Sequence, residues 1–510
     1  MIPVRFKFAI YPALAAAVLL SGCRVGPKYH VPPATAQAPP ISYKESPTQF
    51  KDTDGWKVAQ PQDAMLHGKW WEIYNDPELN ALEDQLNISN QNIKAAFQNF
   101  MAARAIVREA HSQLFPTVGF NPDYNRSRSS ANLKNSTGTG GTSLNAGAQS
   151  TLTSLPFDVS WEPDLWGRIR NTISQAQFEA QLSAADLENQ RLSEQANLAL
   201  FFFELRGQDA LEALYRDTIE ADKKALEVAQ ARFETGVDDQ ISVVEAQNTL
   251  QNAESQAANV GVARAQYEHA IAVLIGTNPS SFSIPVRPLT AHPPAIPIGM
   301  PSQLLERRPD IAASERAMAA ANAQIGIADA AFYPNLILGG SAGVESSTFK
   351  HLFDWPSRFW SIGPSISETI FDAGLRRATV QQYTATYNAN VANYRQTVLT
   401  AFQQVEDSLA SVRILSQQIL KQQQAEQSAR QFVSLETERY RTGIDPYVNV
   451  VTAQTTLLTD QRTLTTLRTQ AMTSSVQLIQ ALGGGWDRTQ LPTPSQVSAK
   501  PSKADTAIQQ

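Results

Sequence analysis

The sequence predicts a mostly α-helical fold with a small membrane β component, duplicated within the chain and closed only when several copies assemble. Three observations lead there. Two helical patterns, over about residues 171–235 and 376–441, are far longer than the helices of ordinary globular domains. Each follows a pair of short runs with strand character and precedes a second, shorter helix. The whole succession occurs twice, the mark of an internal repeat.

Composition narrows the options. With 42% apolar and 18% charged residues the 510-residue chain is a folded protein, and its net charge of −6 offers no general attraction for nucleic acid. A single cysteine excludes an intramolecular disulfide framework and thiolate-cluster metal sites. Arg5 and Lys7 precede an apolar run from Ala9 to Leu20, and Leu20-Ser21-Gly22-Cys23 follows. Residues 1–22 thus have the layout of a secretory signal, and its end resembles a bacterial lipobox. That resemblance implies cleavage before Cys23 and a covalent lipid there. Acyl chains anchor firmly because each buried methylene adds about 0.8 kcal/mol. Arg24, by the same resemblance, disfavours retention at the inner membrane. The plainer alternatives are a leader cut near Gly22 with an incidental cysteine, or a short membrane helix. After Cys23 there is no run of about 18 apolar residues, which excludes a spanning helix but not the alternating strands of a barrel.

Residues 23–76, rich in Pro and polar side chains, read as an extended arm. The first repeat, 77–275, opens at Asp76-Pro77-Glu78-Leu79, with Asp76 as cap and Pro77 at the first helical position. Helix continues with breaks to about Phe115, where Pro116 stops it. Val118, Phe120, Leu152, Leu155, Phe157, Val159 and Trp161 suggest two strands within about 117–160, around a polar, Gly-containing loop at 127–150. The long helix of 171–235 carries apolar or small residues at Leu192, Ala196, Ala199, Phe203, and again at Leu211, Leu214, Thr218, Ala221, Ala225 and Val228. Spacings of 3 and 4 describe a packed helical seam. Its length is roughly 98 Å at 1.5 Å per residue. A turn at 235–239 and a helix at 240–275 complete the unit.

A Pro-rich segment, 276–301, leads to the second repeat, 302–483. This holds a helix, two strands within about 335–368, a long helix over 376–441, a turn at 442–446 and a helix over 447–481. Val398, Phe402, Val405, Leu409 and Val412 continue the seam. Ala231-Arg232-Phe233-Glu234-Thr235-Gly236-Val237-Asp238 matches Glu438-Arg439-Tyr440-Arg441-Thr442-Gly443-Ile444-Asp445 at an offset of 207. Phe115-Pro116 matches Tyr333-Pro334 at 218, and near 206 Leu165-Trp166-Gly167 faces Phe371-Asp372-Ala373. The tail, 484–510, is polar and Pro-containing and is expected to be unstructured.

Two strands per repeat make four per chain, too few for a barrel, and an open sheet edge cannot stand in hydrocarbon. Three copies would supply twelve strands, and symmetric assembly is the usual route. The hairpin helices of three copies would form a ring of twelve helical positions. A polar, small-residue wall suits a wet tunnel, although periodicity alone fits an amphipathic bundle equally well.

With these residues in hand, the chain is identified as a member of the outer membrane factors, the outer membrane efflux protein (TolC-like) family, in its lipoprotein branch. Val25-Gly26-Pro27-Lys28-Tyr29 after Cys23 resembles that branch's N-terminal signature, and the paired Arg-aromatic-x-x-Gly-aliphatic-Asp turns resemble those of the two family repeats. The resemblance implies a homotrimer: a 12-stranded outer-membrane β-barrel continuous with a long periplasmic α-helical barrel. It implies two partners, a periplasmic adaptor (membrane fusion) protein and an inner-membrane pump of the resistance-nodulation-division type. The expected activity is passive conduction of drugs or other small molecules out of the cell, with outer-membrane lipid around the barrel. A protein-secretion exit duct shares this architecture, and a periplasmic lipoprotein scaffold of helical hairpins without a pore is the other alternative.

Site residues follow from the same resemblance. The turns bearing Arg232, Gly236, Val237 and Asp238, and Arg439, Gly443, Ile444 and Asp445, would form the periplasmic tip where an adaptor docks. A purely architectural reading is also open, with Gly in a left-handed helix end and Asp capping the next helix. Gln431, Ser434, Leu435 and Glu438, before the second turn, are candidates for a constriction. Trp161, Trp166, Phe359, Trp360 and Phe371 lie at strand ends, where aromatic side chains favour the lipid headgroup level. Phe201-Phe202-Phe203 reads as helix packing.

No enzyme is expected. The six histidines, at 30, 67, 111, 269, 292 and 351, form no spaced ligand set. Thr137-Gly138-Thr139-Gly140-Gly141 lacks the Lys-Ser/Thr of a phosphate loop. No cofactor or metal is expected beyond the lipid on Cys23.

Overall fold

The structure, a computed structural model, describes residues 24–35, 43–45, 68–128, 130, 149–296 and 304–500. Cys23 and the Gly-rich stretch at 137–141 lie outside them.

Helix α1 spans Pro77–Ser89 and starts as its sequence dictates: Asp76 accepts from the Glu78 and Leu79 amides and Pro77 occupies the first turn. Helix α2 is Gln91–Ser112. Strands β1 (Thr117–Phe120), β2 (Asp123–Arg128) and β3 (Gln149–Trp161) follow. Then come α3 (Arg168–Glu234) and α4 (Gln240–Leu274). The second unit comprises α5 (Pro309–Ala330), β4 (Asn335–Ser346), β5 (Arg358–Ser367), α6 (Leu375–Arg441) and α7 (Tyr447–Ala481). A short α8 (Pro494–Ser498) comes last.

The duplication is exact in the helix bounds. Adding 207 to both ends of α3 and α4 gives the ends of α6 and α7; adding 218 to α2 gives α5. The two offsets differ because the first hairpin carries a longer connection. One expected pairing is corrected. Gly167, with φ of +81°, corresponds to Gly374, with φ of +93°, each beginning a long helix, so the register there is 207 rather than 206.

Each 67-residue helix, roughly 100 Å long, is flanked by a 35-residue and a 22-residue helix stacked end to end. A single side chain splices each stack. Asn90 accepts from Ile93 N (3.0 Å) to start α2 and donates to Leu274 O (2.8 Å) to end α4. Its counterpart Arg308 donates to Ala481 O (3.0 Å) at the end of α7 and pairs with Asp310 at the start of α5. Both satisfy helix-end groups that would otherwise be orphaned.

All strands form one antiparallel sheet in the order β1-β3-β4-β5, with β2 also on β3. The first repeat shows three strands where two were expected, but β1 and β2 are one interrupted strand. Phe120 faces Phe157 and Asp123 faces Ser154, so the register runs on unshifted past Pro122. Pro122 has no amide to donate, nor has Pro156 on β3, and the ladder lapses between them. The sheet is therefore four strand positions wide.

The main core joins the upper halves of the long helices. Leu198, Phe202 and Phe203 of α3 pack with Val398, Val405 and Leu409 of α6 and Met472, Val476 and Ile479 of α7. Two segments expected to be extended or unstructured contribute. At the end of the arm, Trp70 and Trp71 are buried in a 3₁₀ turn and Trp70 Nε1 donates to Gln195 (3.2 Å). In the tail, Trp486 and Val497 are buried, Gln181 donates to Pro492 O (2.8 Å), and Thr493 and Gln496 form a capping box. A few well-placed apolar anchors order a polar segment that composition alone reads as solvated.

Candidate functional site

Three regions carry the expected function: the sheet, the arm that leads from Cys23, and the tip at the far end of the hairpins.

The register divides the sheet into two chemically different faces. One bears Val118, Phe120, Phe157, Val159, Trp161, Leu338, Ala342, Trp360 and Ile362. The other bears Asp158, Ser160, Gly339, Ser341, Gly343, Ser361 and Gly363. Alternation of apolar with small or polar side chains is what a strand between lipid and water requires. Neither outer strand, β1 with β2 on one side nor β5 on the other, has a partner beyond it among the described residues.

The aromatic candidates divide accordingly. Trp161 and Trp360 share the apolar face, and Phe359 occupies the small-residue face. Phe371 is exposed in the turn before α6. Trp166 lies past the strands. Its ring stacks on Tyr333 (centroids 4.7 Å apart) and its Nε1 donates to Pro334 O (2.9 Å), tying the helix-to-strand handover of one repeat to the other. That is junction packing, and Trp161, donating to Leu114 O (3.0 Å), shares in it.

The arm is held along the helices rather than trailing free. Val25 N donates to Trp166 O (3.0 Å), and Asn171 donates to Val25 O (3.0 Å). Asn322 donates to Pro27 O (3.0 Å), and Tyr29 OH donates to Glu315 Oε1 (2.8 Å). Farther on, the Lys44 amide donates to Glu406 (2.7 Å) and Arg413 pairs with Glu45 (2.8 Å). Gly26 has φ of +111°, and a Cβ there would stand 2.5 Å from Gly326 Cα. The Val25–Tyr29 stretch thus acquires a physical reason: only Gly lets the arm lie against α5. Arg24, the neighbour of Cys23, is placed beside the end of the sheet, where its Nε donates to Asn171 (2.5 Å).

At the tip both turns have one geometry. Gly236 (φ +69°) and Gly443 (φ +76°) end α3 and α6 in the left-handed region, and the amides of Val237 and Ile444 return to Arg232 O and Arg439 O, both at 2.9 Å. Val237 and Ile444 are exposed. Asp238 was expected to cap the next helix. Asp239 does so instead, accepting from Ser242 N (3.2 Å), while Asp238 is engaged elsewhere.

Asp238 accepts from Tyr440 OH (2.7 Å), Ser242 Oγ (3.0 Å) and Asp239 N (3.0 Å) and lies 3.6 Å from Arg232 Nε. Arg232 stacks over the Tyr440 ring at 4.7 Å and donates to Arg441 O (3.2 Å). Burial raises the Asp238 carboxyl, but the donors from Tyr440, Asp239 and Ser242 and the Arg232 charge outweigh it and hold the group below its ordinary value. The two hairpin tips are thereby tied together. In the second turn the equivalent pair, Arg439 with Asp445, stays within its own hairpin, its hydrogen bond holding the Asp445 carboxyl down and the Arg439 guanidinium up, with Glu436 of the same helix also bonded to Asp445.

Gln431, Ser434, Leu435 and Glu438 are all exposed and share one uncovered face over the last turns of α6, with Glu438 paired to Arg441 (3.2 Å). Tyr440 was overlooked although it stands inside the matched motif. Within the matched turn motif the aromatic position differs, Phe233 against Tyr440, and that was the available signal. Asp222 was also missed. It is buried above the tip, where desolvation lifts its carboxyl to about 6.

No described helix is long and apolar enough to cross a membrane, and no cluster of His, Cys, Asp or Glu among the described residues is arranged to hold a metal ion.

Comparison with known proteins agrees with this geometry. The family model described as outer membrane efflux protein matches residues 82–277 and 300–484. The antibiotic efflux pump outer membrane protein ArpC and the toluene efflux pump outer membrane protein TtgC, both of Pseudomonas putida, are each 32% identical over 476 residues, covering 92% of this chain and 94% of theirs. The solved outer-membrane channel OprN superposes with a TM-score of 0.81 at 27% identity, over 91% of this chain and all of that one. The strands are accordingly the outer-membrane part and the helical hairpins its periplasmic extension. The chain belongs to the outer membrane efflux protein family.

Proposed function

We propose that three copies of this chain form the outer-membrane exit channel of a tripartite efflux pump. The observation that carries the reading is the sheet: four strand positions wide, apolar on one face, small and polar on the other, with both edges unpaired among the described residues. Pairing β5 of one copy with β1 and β2 of the next removes every edge and gives twelve strands around a wet lumen. The helices of the three copies continue that lumen into the periplasm. Conduction is passive. The energy comes from an inner-membrane pump of the resistance-nodulation-division type, reached through an adaptor that docks on the exposed tip residues Val237 and Ile444. Small, apolar or amphipathic compounds are the proposed cargo, in keeping with the antibiotic and toluene pumps for which the relatives are named.

Cys23 carries the lipid in this reading. The main chain two residues later is bonded to Trp166, at the end of the sheet, so the acyl chains reach the bilayer surface without further reach of the arm. Cys23→Ser is expected to lose radiolabelled palmitate. Crosslinking in membranes, purification and identification of bound proteins tests the assembly. An adaptor and a drug-efflux transporter are expected, and a secretion transporter in their place would convert the reading to an export duct.

A further inference from the structure

We propose that the outer end of the sheet carries a binding site for a phosphorylated lipid of the outer leaflet, built from Arg126 and Arg128 of one copy and Arg358 of the next. The inference rests on the trimeric barrel and goes beyond it by naming a lipid ligand and the residues that hold it.

The strands segregate charge by face. The ends that lead to helices, among them Thr117, Trp161 and Asn335, are the periplasmic ends, and Arg128, Gln149, Ser346 and Arg358 stand at the opposite, outer ends. Among the described strand residues the cations are Arg126, Arg128 and Arg358, and the acids are Asp123, Asp158 and Glu345. The register sets Arg126 opposite Thr151 and Arg128 opposite Gln149, on the face of Phe157 and Trp161, and Arg358 opposite Val344, on the face of Trp360 and Ile362. Asp123 pairs with Ser154 and Ser154 with Glu345, so these acids share the small-residue face with Asp158. Each of these cations is on the bilayer side and each acid on the lumen side, in a chain whose net charge is −6.

Their level is that of headgroups rather than hydrocarbon. The apolar face of β3 runs from Trp161 to Leu155, roughly 20 Å along the strand. An outer-membrane barrel shows lipid an apolar band of about 25 Å. Beyond that run β3 presents Thr153 and Thr151, β2 presents Tyr124 and then the two arginines, and β5 presents Arg358 after Trp360. A lipid-facing arginine costs about 2–4 kcal/mol at the midplane and only about 0–1 kcal/mol near the interface. The protein leaves all three exposed and, among the described residues, without a carboxylate partner. Arg126 donates to Gln149 (3.1 Å), and Arg358 lies 3.9 Å from the centroid of the exposed Trp355 ring. Asp354, the acid of the loop before Arg358, is held by His351 (2.7 Å).

Closing the barrel sets the outer end of β5 beside the outer end of β2 of the next copy. Three guanidinium groups then gather at each seam with no acid on their face, and the site is incomplete within one copy. Like charges placed so repel, and an anion at headgroup level relieves them. Arginine meets phosphate through paired N–H donors, and stacking on Trp355 leaves those donors of Arg358 free. One phosphate monoester carries about −1.5 to −2 charges, so a lipid with two phosphates balances the seam.

The test uses the full-length, lipid-bearing protein in detergent, its mass measured under native conditions with diphosphoryl lipid A, the same lipid stripped of its phosphates, or inorganic phosphate as the probe. The trimer is expected to hold diphosphoryl lipid A roughly tenfold or more tightly than the stripped lipid, and to keep no inorganic phosphate. Arg126→Gln with Arg128→Gln and Arg358→Gln is expected to abolish that preference at unchanged trimeric mass and β signal. Equal retention of the two lipids by the unaltered trimer would overturn the site without recourse to a variant, as would an unchanged preference in the triple variant. Retention of inorganic phosphate with no preference for the phosphorylated lipid would overturn the lipid as the ligand. A monomeric mass would remove the trimer, and with it a site shared between copies.

Discussion

The Tyr440 hydroxyl donates to Asp238 Oδ2 at 2.7 Å, and this bond joins hairpin tips whose residues are 202 apart in the chain. It depends on a single atom, because the equivalent residue of the first repeat is Phe233. Tyr440→Phe keeps the ring under Arg232 and removes that atom. A hydrogen bond to a charged acceptor contributes about 1.5–3 kcal/mol, so the variant should shift the tip toward its open form by roughly tenfold or more. Higher conductance in planar bilayers, with unchanged assembly mass, is the expected result.

Asp209 is completely buried and accepts from Arg206 (3.0 Å), Arg264 (2.7 Å) and the Arg287 amide (2.9 Å). Arg206 also pairs with Glu78 and donates to Pro285 O (2.7 Å), so the cluster binds α1, α3, α4 and the segment between repeats. Removing Asp209 leaves two guanidinium groups short of a partner. Asp209→Ala should cost about 3–5 kcal/mol, read as a lower thermal midpoint and as protease cleavage between the repeats.

Asp222 gives the helical wall a pH dependence. Burial raises its carboxyl from 3.8 to about 6, and the Tyr447 hydroxyl, which also feels Glu245, is the titratable group it faces on the packed helix. The folded form therefore holds a proton that the unfolded chain has lost between these values, and stability falls as pH rises from about 4 to about 6. Asp222→Asn should remove that slope and stabilise the protein at neutral pH by about 1–3 kcal/mol. Denaturant unfolding at several pH values measures it.

Gly26→Ala tests the arm. Its φ of +111° and its contact with Gly326 both exclude a side chain. The variant should detach the Arg24–Tyr29 segment and expose it to protease, while the helical signal stays intact.

The sequence showed the repeats, the long helices and both Gly turns, because hydrophobic period and glycine punctuation are local signals. Gly236 and Gly443 stand where their motif placed them. The features it hid depend on contacts between distant segments. Arg206, Asp209 and Glu78 look like solvated charges until four segments converge on them. Trp486 and Val497 sit in a polar tail and act only through what they touch. Pro122 and Pro156 read as separate breaks, whereas the register shows them lapsing together in one strand pair. Asp238 and Asp239 are adjacent acids, and only the geometry assigns the cap to the second.

The central claim is that one chain holds a third of a barrel. The mass of the detergent-purified, lipid-bearing protein under native conditions tests it most directly. The account predicts a mass of three chains that persists on dilution and falls to one chain only on denaturation. A folded protein with the mass of a single chain would contradict it.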